Sequence, residues 1–330
     1  MSGPPLRTAL LGCGGIGARH AEAVASLPHL LRLVGCCDRD AAAAAAFAGR
    51  HGAEAFTALD RMLGEAQPDL VIVALPPFAH AGQVEAVAAA GVNLLVEKPI
   101  ALEADRAAAM VEAVGAAGVV AACGFMYRFG EAVQAWDADA AAGRTGMAGH
   151  FSGQFHCNAL HAPWWRELAK SGGQITEQLI HIVDLARHAL GMPETVYARA
   201  ANLFHRDVPG YSSEDVSAII LGYGDGRIGV LHASNAAVPG RWAKQWQIVA
   251  ARMTGIFADW NTAELVETGG EAVSRRIAGT RDVFVAQLED VAAAILDRRA
   301  PLVPLADGAA SLRIALAARR SATEGREIAL

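Results

Sequence analysis

Short apolar runs at 6–11, 31–37, 70–75, 92–96 and 119–123 punctuate the first 125 residues. Their apolar residues stand side by side instead of alternating with polar ones, which predicts strands buried on both faces. Between them lie Ala-rich stretches at 18–26, 41–50, 79–90 and 104–117, whose composition favours helix. The six alanines at 41–46 belong to one of these helices. Strand followed by helix, repeated, predicts a parallel sheet wrapped by helices.

After about residue 125 the rhythm changes. A helical stretch to Ala142 precedes alternating runs at 149–157, 194–204, 215–223, 227–234, 245–251 and 256–260. Alternation predicts strands with one buried face. The stretch YGDGRIG at 223–229 reads as a hairpin turn, with Asp-Gly supplying positive φ. Two amphipathic helices, 283–297 and 306–324, close the chain. The predicted fold is therefore an α/β Rossmann domain, a doubly wound parallel sheet over 1–125, followed by an α+β domain over 126–330 with a mostly antiparallel sheet.

Composition narrows the function classes. A chain of 330 residues favours two domains, and 53% hydrophobic against 19% charged residues describes one that buries a large core. A net charge of −6 with no basic run argues against nucleic acid as a partner. The longest charge-free apolar run, 113–127, is broken by glycines and is shorter than the roughly 18 residues of a membrane span. Only a few apolar residues precede Cys13, against the roughly 7–15 of a signal peptide. Cys13, Cys36, Cys37, Cys123 and Cys157 show no metal-binding spacing and read as free thiols. The expectation is a cytoplasmic protein without a membrane partner.

The run at 6–11 leads straight into Gly12-Cys13-Gly14-Gly15-Ile16-Gly17 and then a helix. In that setting GxGxxG lets backbone N–H groups approach a pyrophosphate at a helix N-terminus. Asp38 closes the next strand, where an acid binds the adenosine ribose hydroxyls. NAD is the expected cofactor; NADP stays open, because Arg39 could accommodate a 2′-phosphate. Leu75, Pro76 and His80 follow the run at 70–75, and Glu97-Lys98-Pro99 follows the run at 92–96. Ligands of parallel sheets bind outside the carboxyl ends of the strands, which places Lys98 near the nicotinamide. A surface lysine paired with Glu97 is the bland alternative for Lys98.

The stretch SGGQITEQLIHIVDL at 171–185 puts Glu177, His181 and Asp184 three and four residues apart on a predicted helix, hence on one face. The residues allow metal ligation, acid–base catalysis or a salt-bridged surface. No Cys/His cluster supplies further ligands, so no metal is expected. Asp184 reads as structural, a partner for Arg187 or Arg166.

GxGxxG near the start, VEKP at 96–99, GFMYRF at 124–129 and WWRELAKSGGQITEQLIHIVDL at 164–185 together resemble the Gfo/Idh/MocA oxidoreductases. The resemblance extends through 213–234 and 311–328. It implies a Rossmann domain joined to a domain with a large open sheet. The implied activity is NAD(P)-dependent oxidation or reduction of a carbinol carbon in a sugar, inositol or related polyol. The family's EKP lysine falls on Lys98, its glycine pair on Gly172 and Gly173, its helix acid on Glu177 and its catalytic histidine on His181. Many members carry Asp where this chain has Glu177, so Glu177 contacts substrate, tunes Lys98 or orients His181.

His181 suits proton transfer, with an unperturbed pKa of about 6.5, and Lys98 suits stabilisation of a developing alkoxide. The reverse assignment, Lys98 as acid/base with His181 positioning, stays open. Cofactor contacts are expected from Gly12, Gly14, Gly15, Ile16, Gly17, Asp38, Arg39, Leu75, Pro76, His80, Glu97, Lys98 and Arg128. Substrate contacts are expected from Lys98, Tyr127, Asn158, Trp165, Arg166, Glu177 and His181, with His156 beside them. Trp164 and Trp165 either stack on a sugar or pack in the core. An NAD-dependent glycosidase and a non-catalytic NAD sensor are the rival functions. The antiparallel sheet is the expected surface of a homodimer or homotetramer.

Overall fold

The computed structural model describes residues 3–330, which form two compact units. The first contains the described residues up to Ala101, then Asp105–Met126 and Asp282–Ala309; the second contains Leu102–Ala104, Tyr127–Arg281 and Ala310–Leu330.

Six parallel strands build the first unit: β1 (Leu6–Leu11), β2 (Leu31–Cys37), β3 (Glu54–Phe56), β4 (Leu70–Val73), β5 (Asn93–Val96) and β6 (Ala121–Cys123). Their order is β3-β2-β1-β4-β5-β6, so the strand order reverses between β1 and β4. Leu10, Ile72 and Leu95 are fully buried, as runs covered on both faces require. β3 was not foreseen; three residues are too few to show a period. The expectation that 126–330 forms one continuous domain needs correction, because Asp282–Ala309 returns to the first unit. Its helix Val283–Asp297 buries Leu288, Val291 and Ala292 in the same core as Leu10 and Val24. Each such leucine or valine side chain contributes roughly 1.5–3 kcal/mol by leaving water.

In the second unit nine strands form one sheet: β7 (Ala148–His156), β8 (Thr195–Ala201), β9 (Val216–Gly222), β10 (Ile228–Ser234), β11 (Ala243–Ala250), β12 (Met253–Phe257), β13 (Thr262–Glu267), β14 (Val273–Ala278) and β15 (Ile328–Ala329). The order is β14-β13-β12-β11-β7-β10-β9-β8-β15, antiparallel except where β10 runs parallel to β7. The hairpin predicted at 223–229 joins β9 to β10, with Gly226 at φ 89°. β14 escaped the pattern because it has no buried face, five of its six residues being exposed.

Helix Ile180–Leu190 lies on β7 at Gly153, where a Cβ would stand 2.6 Å from Ile182 Cγ2. Phe151 and Phe155 fill that inner face, while Ser152, Gln154 and His156 belong to the outer one. Among the described residues no helix of this unit covers β7 and β11 on the outer face; Gln154 and Gln245 hydrogen-bond across it at 2.7 Å.

Candidate functional site

In the first unit the loop after β1 is shaped for close approach. Gly12 has φ 105°, and a Cβ there would lie 2.5 Å from the Ala74 carbonyl oxygen, with Leu75 beside it at 3.4 Å. At Gly17 a Cβ would meet the Gly12 carbonyl oxygen at 2.2 Å, so the helix packs against the turn. Gly14 and Gly15 differ: a Cβ on either meets open space. Helix Gly15–Ala25 starts at that opening with no acidic residue in its first turn, which leaves its N–H groups and positive end to an anion. Ile16 stands 48% exposed beside them. Asp38 accepts from Cys13 N–H through Oδ2 and from Asp40 N–H through Oδ1, both at 3.0 Å. The acid is therefore locked to the glycine loop, and Arg39 is exposed next to it. A dinucleotide fits this set: space where the glycines lack side chains, backbone donors for the pyrophosphate and an oriented carboxylate for a ribose.

The strand end that carries Lys98 is tied to the helix that follows this loop. Glu97, only 6% exposed, binds His20 Nε2 at 2.7 Å and accepts the Lys98 backbone N–H at 3.2 Å. His20 lies on helix Gly15–Ala25 and is fully buried. Glu97 thus fixes the backbone from which the half-buried Lys98 projects, and its carboxylate pairs with histidine, contrary to the Glu97–Lys98 pair considered above. Gly124 leaves room for that carboxylate; a Cβ there would be 2.7 Å from Oε2. Pro77–Ala79 form a short 3-10 turn followed by His80, before helix Gln83–Ala89. Burial pushes the His80 imidazole down to about 4, so it is neutral near pH 7.

In the second unit Gly172 and Gly173 have φ 78° and 85°, the left-handed region that suits glycine. Protein atoms occupy the space beside them: Thr176 lies 2.9 Å from a Cβ at Gly172, and Glu214 Oε2 lies 2.2 Å from one at Gly173. Glu214 Oε1 also accepts the Ile175 N–H at 2.8 Å. From that turn the chain enters a π turn, Ile175–Leu179, before helix Ile180–Leu190. A π turn inside a helix is rare and often marks a functional site. Sequence spacing predicts a plain helix and misses it.

Glu177 stands in the π turn and accepts the Trp165 indole N–H through Oε2 at 2.6 Å. Trp165 is 3% exposed and packs against His161, ring centroids 4.4 Å apart; it belongs to the core instead of a sugar platform. His181 is 5% exposed. Tyr127 stacks on its imidazole at 4.4 Å and on Trp260 at 4.4 Å, forming a three-ring ladder. Burial raises the Tyr127 phenol well above its ordinary value, with the Glu177 charge adding to the effect, so it stays neutral.

Asp184 and Arg128 form a buried fork-to-carboxylate pair, Nε–Oδ2 and Nη2–Oδ1 both 2.7 Å, with Ser311 donating to Oδ1 at 3.0 Å. Burial pushes the Asp184 carboxyl up, but Arg128 beside it, helped by Arg187, outweighs this and holds it below the usual carboxylate range. Its place after β6 predicts a cofactor contact for Arg128. The structure instead spends its guanidinium on Asp184 and His188, bracing the helix that carries His181. Arg166 does not reach Asp184; it donates to the Leu160 and His161 carbonyls.

Asn158 is exposed and donates to the Ala237 carbonyl at 2.9 Å. His156 lies on the outer sheet face in contact with His232 at 3.1 Å, away from the face on which His181 is carried. Trp260 and Lys244, which surround Tyr127 in space, escaped sequence analysis. Trp260 lies in the β12–β13 turn, and Lys244 interrupts the inward register of β11, the one signal that singles it out. Among the described residues no group of three or more His, Cys, Asp or Glu side chains assembles a metal site.

Known proteins match along the whole chain. A profile of the oxidoreductase family with NAD-binding Rossmann fold covers residues 6–125, and one of the GFO/IDH/MocA C-terminal domain covers 133–254. A myo-inositol dehydrogenase of Streptomyces leeuwenhoekii is 30% identical, the match covering 97% of this chain and 98% of that protein. An inositol 2-dehydrogenase of Rhizobium meliloti is 29% identical over 98% of this chain and 99% of its own. The structure of a levoglucosan dehydrogenase with NADH and levoglucosan superposes with a TM-score of 0.90 at 20% identity, covering 98% of this chain and 99% of that one.

Proposed function

This chain belongs to the Gfo/Idh/MocA family of NAD-dependent oxidoreductases, and on that premise we propose that it oxidises one CH–OH of a sugar, cyclitol or related polyol to the carbonyl. The observation that carries the reading is the His181 setting: an imidazole buried beneath Tyr127, on a helix braced by Asp184–Arg128. The two full-length inositol dehydrogenase relatives point to the same substrate class.

NAD, when bound, accepts the hydride removed from the carbinol carbon. Gly14 and Gly15 would hold its pyrophosphate, with Gly12 and Gly17 keeping the turn tight against the strand and helix, and Asp38 would hold its adenosine ribose. Leu75, Pro76 and the neutral His80 line the same strand ends. His181 takes the hydroxyl proton as general base, and the Lys98 ammonium stabilises the negative charge that develops on that oxygen. Glu177, oriented by Trp165, hydrogen-bonds a neighbouring hydroxyl. Released products are the ketone or lactone, NADH and one proton.

Two coarser features complete the proposal. A second copy of this chain covers the outer face of the sheet, where Ile220 and Ile256 are 48% and 45% exposed among glutamines. Five free thiols support a cytoplasmic reading, and among the described residues no helix is long and apolar enough to cross a membrane. Screening NAD reduction against monosaccharides, inositols and glycosides tests the activity: net NADH supports it, and glycosidic cleavage without net NADH overturns it. Comparing pH–rate profiles of His181→Ala and Lys98→Met tests the roles. If Lys98→Met alone abolishes the acidic limb, on which the general base becomes protonated, Lys98 is the proton acceptor.

A further inference from the structure

A base that takes a proton must carry the charge that comes with it. When His181 accepts the hydroxyl proton its ring becomes an imidazolium, and at 5% exposure water solvates that cation poorly. Burial by itself therefore opposes the step, because it penalises the charged form. Tyr127 lies face-on to the imidazole, ring centroids 4.4 Å apart and planes 25° from parallel. Its phenol ring stacks in turn on Trp260 at 4.4 Å and 17°. An aromatic face carries partial negative charge and attracts a cation within roughly 6 Å of its centroid. The protonated ring is thus the form that the stack favours.

The stack is anchored from behind. Tyr127 belongs to the 3-10 turn Met126–Phe129, which leads through Gly130 into helix Glu131–Ala141. The Trp260 carbonyl accepts the N–H groups of Ala132 and Val133 at 3.0 and 3.3 Å, at the start of that helix. Gly130 permits the approach, since a Cβ there would stand 2.2 Å from the Trp260 carbonyl oxygen. Both rings are therefore fixed at one helix start, and Tyr127 is only 2% exposed. With its phenol kept neutral, Tyr127 offers the imidazole a ring face and no charge. The charged groups nearby are Glu177 in the π turn, Asp184 on the next turn with Arg128 paired to it, and Lys244 from β11. The Lys244 ammonium lies within 5.9 Å of the Tyr127, Trp260, Phe155 and Trp242 centroids.

We propose that Tyr127, backed by Trp260, is a positioning residue of proton transfer: its ring face holds the His181 imidazolium by a cation–π contact and fixes the imidazole plane, so that a buried base can accept a proton. The inference rests on the dehydrogenase reading and gives the ring stack a part in it. Glu177 and Lys244 act on the same imidazole through their charges, and those charges persist when only the ring at 127 is changed.

NMR titration of the NADH-saturated protein with isotope-labelled histidine rings provides the test, the His181 signal being identified by its loss in His181→Gln. In the unaltered protein His181 is expected to titrate between about pH 5 and 9. Tyr127→Leu should move that midpoint down by about 0.5–1.5 pH units, and Trp260→Leu should move it less in the same direction. Tyr127→Phe keeps the ring and should stay within about 0.3 of the original value. A trifluorinated phenylalanine at 127 has nearly the same shape with its face charge withdrawn, and should fall most of the way to the leucine value. This pair decides the matter even if Tyr127→Leu does not fold; melting temperature and NADH affinity report folding. An unmoved midpoint in Tyr127→Leu, or a fluorinated ring that behaves as phenylalanine does, overturns the proposal, because Tyr127 then only packs. A His181 that stays neutral down to pH 5 overturns it too. Turnover of monosaccharides, inositols and glycosides is read separately. NADH formed with an unmoved midpoint sinks the ring stack alone, whereas a moved midpoint with no NADH from any of them sinks the dehydrogenase reading and leaves the stack.

Discussion

The chain contains the pair Gly-Gly at two places that matter, 14–15 and 172–173, and the two pairs serve opposite ends. Beside Gly14 and Gly15 the missing side chains leave open space, and the backbone faces it as a donor surface. Beside Gly172 and Gly173 the space is filled by Thr176 and Glu214, and both glycines take left-handed φ. One pair makes room for a ligand; the other lets the protein pack on itself and turn sharply into the π turn before His181. The comparison teaches that a glycine motif reveals backbone freedom, while its neighbours in space decide what that freedom is used for.

The largest expected effect tests the second region as chemistry. His181→Ala should lower kcat by about 100- to 10,000-fold while leaving NADH affinity unchanged, measured by steady-state rates and fluorescence titration. If NADH affinity falls equally, His181 is not a separate proton-transfer group.

The brace comes next. Asp184→Ala leaves the Arg128 charge buried without its carboxylate and should cost about 3–5 kcal/mol of stability in denaturant unfolding. An unchanged midpoint would show that the pair is not what holds the helix.

Exchanging the glycines separates the two pairs directly. Gly173→Ala places a Cβ 2.2 Å from Glu214 in a left-handed conformation, so stability should fall by about 1–3 kcal/mol with NADH affinity retained. Gly14→Ala has an ordinary extended φ of −80° and open space, so the melting temperature should hold while NADH affinity drops about tenfold or more. The reverse pattern would erase the distinction drawn here.

The smallest effect concerns pH in the first unit. Folding lowers the His80 pKa from 6.5 to about 4, so between these values the unfolded chain holds more protons and stability falls as pH falls. The loss amounts to about 1.5 kcal/mol between pH 6.5 and pH 5, and it levels off below the folded value. In His80→Phe that part of the acid sensitivity should disappear; an identical pH–stability curve would place the sensitivity elsewhere.

The nucleotide half was legible because its information is local. Gly12 to Gly17, Asp38 and Glu97-Lys98 each stand at a strand end, and the parallel order brings strand ends together. The His181 half was legible only as a resemblance. That Glu177 would receive Trp165, twelve positions away, and Asp184 would receive Arg128, fifty-six away, is not readable from spacing on one helix. Arg187, the partner expected from the i,i+3 rule, contributes only a longer contact of 3.4 Å. Trp260 and Lys244 carry no motif at all.

By itself the sequence determined the periodicities: continuous apolar runs that demand a doubly covered parallel sheet, alternating runs that demand a one-faced sheet, and glycines where the backbone must turn or open. These follow from short-range sterics and from removing apolar surface from water. Tertiary structure decided which charges meet. It returned Val283–Asp297 to the first unit, committed Arg128 to Asp184, stacked Tyr127 between His181 and Trp260, and set Lys244 among four rings. Such pairings depend on distances of a few ångströms between residues far apart in the chain, and only the packed core sets those distances.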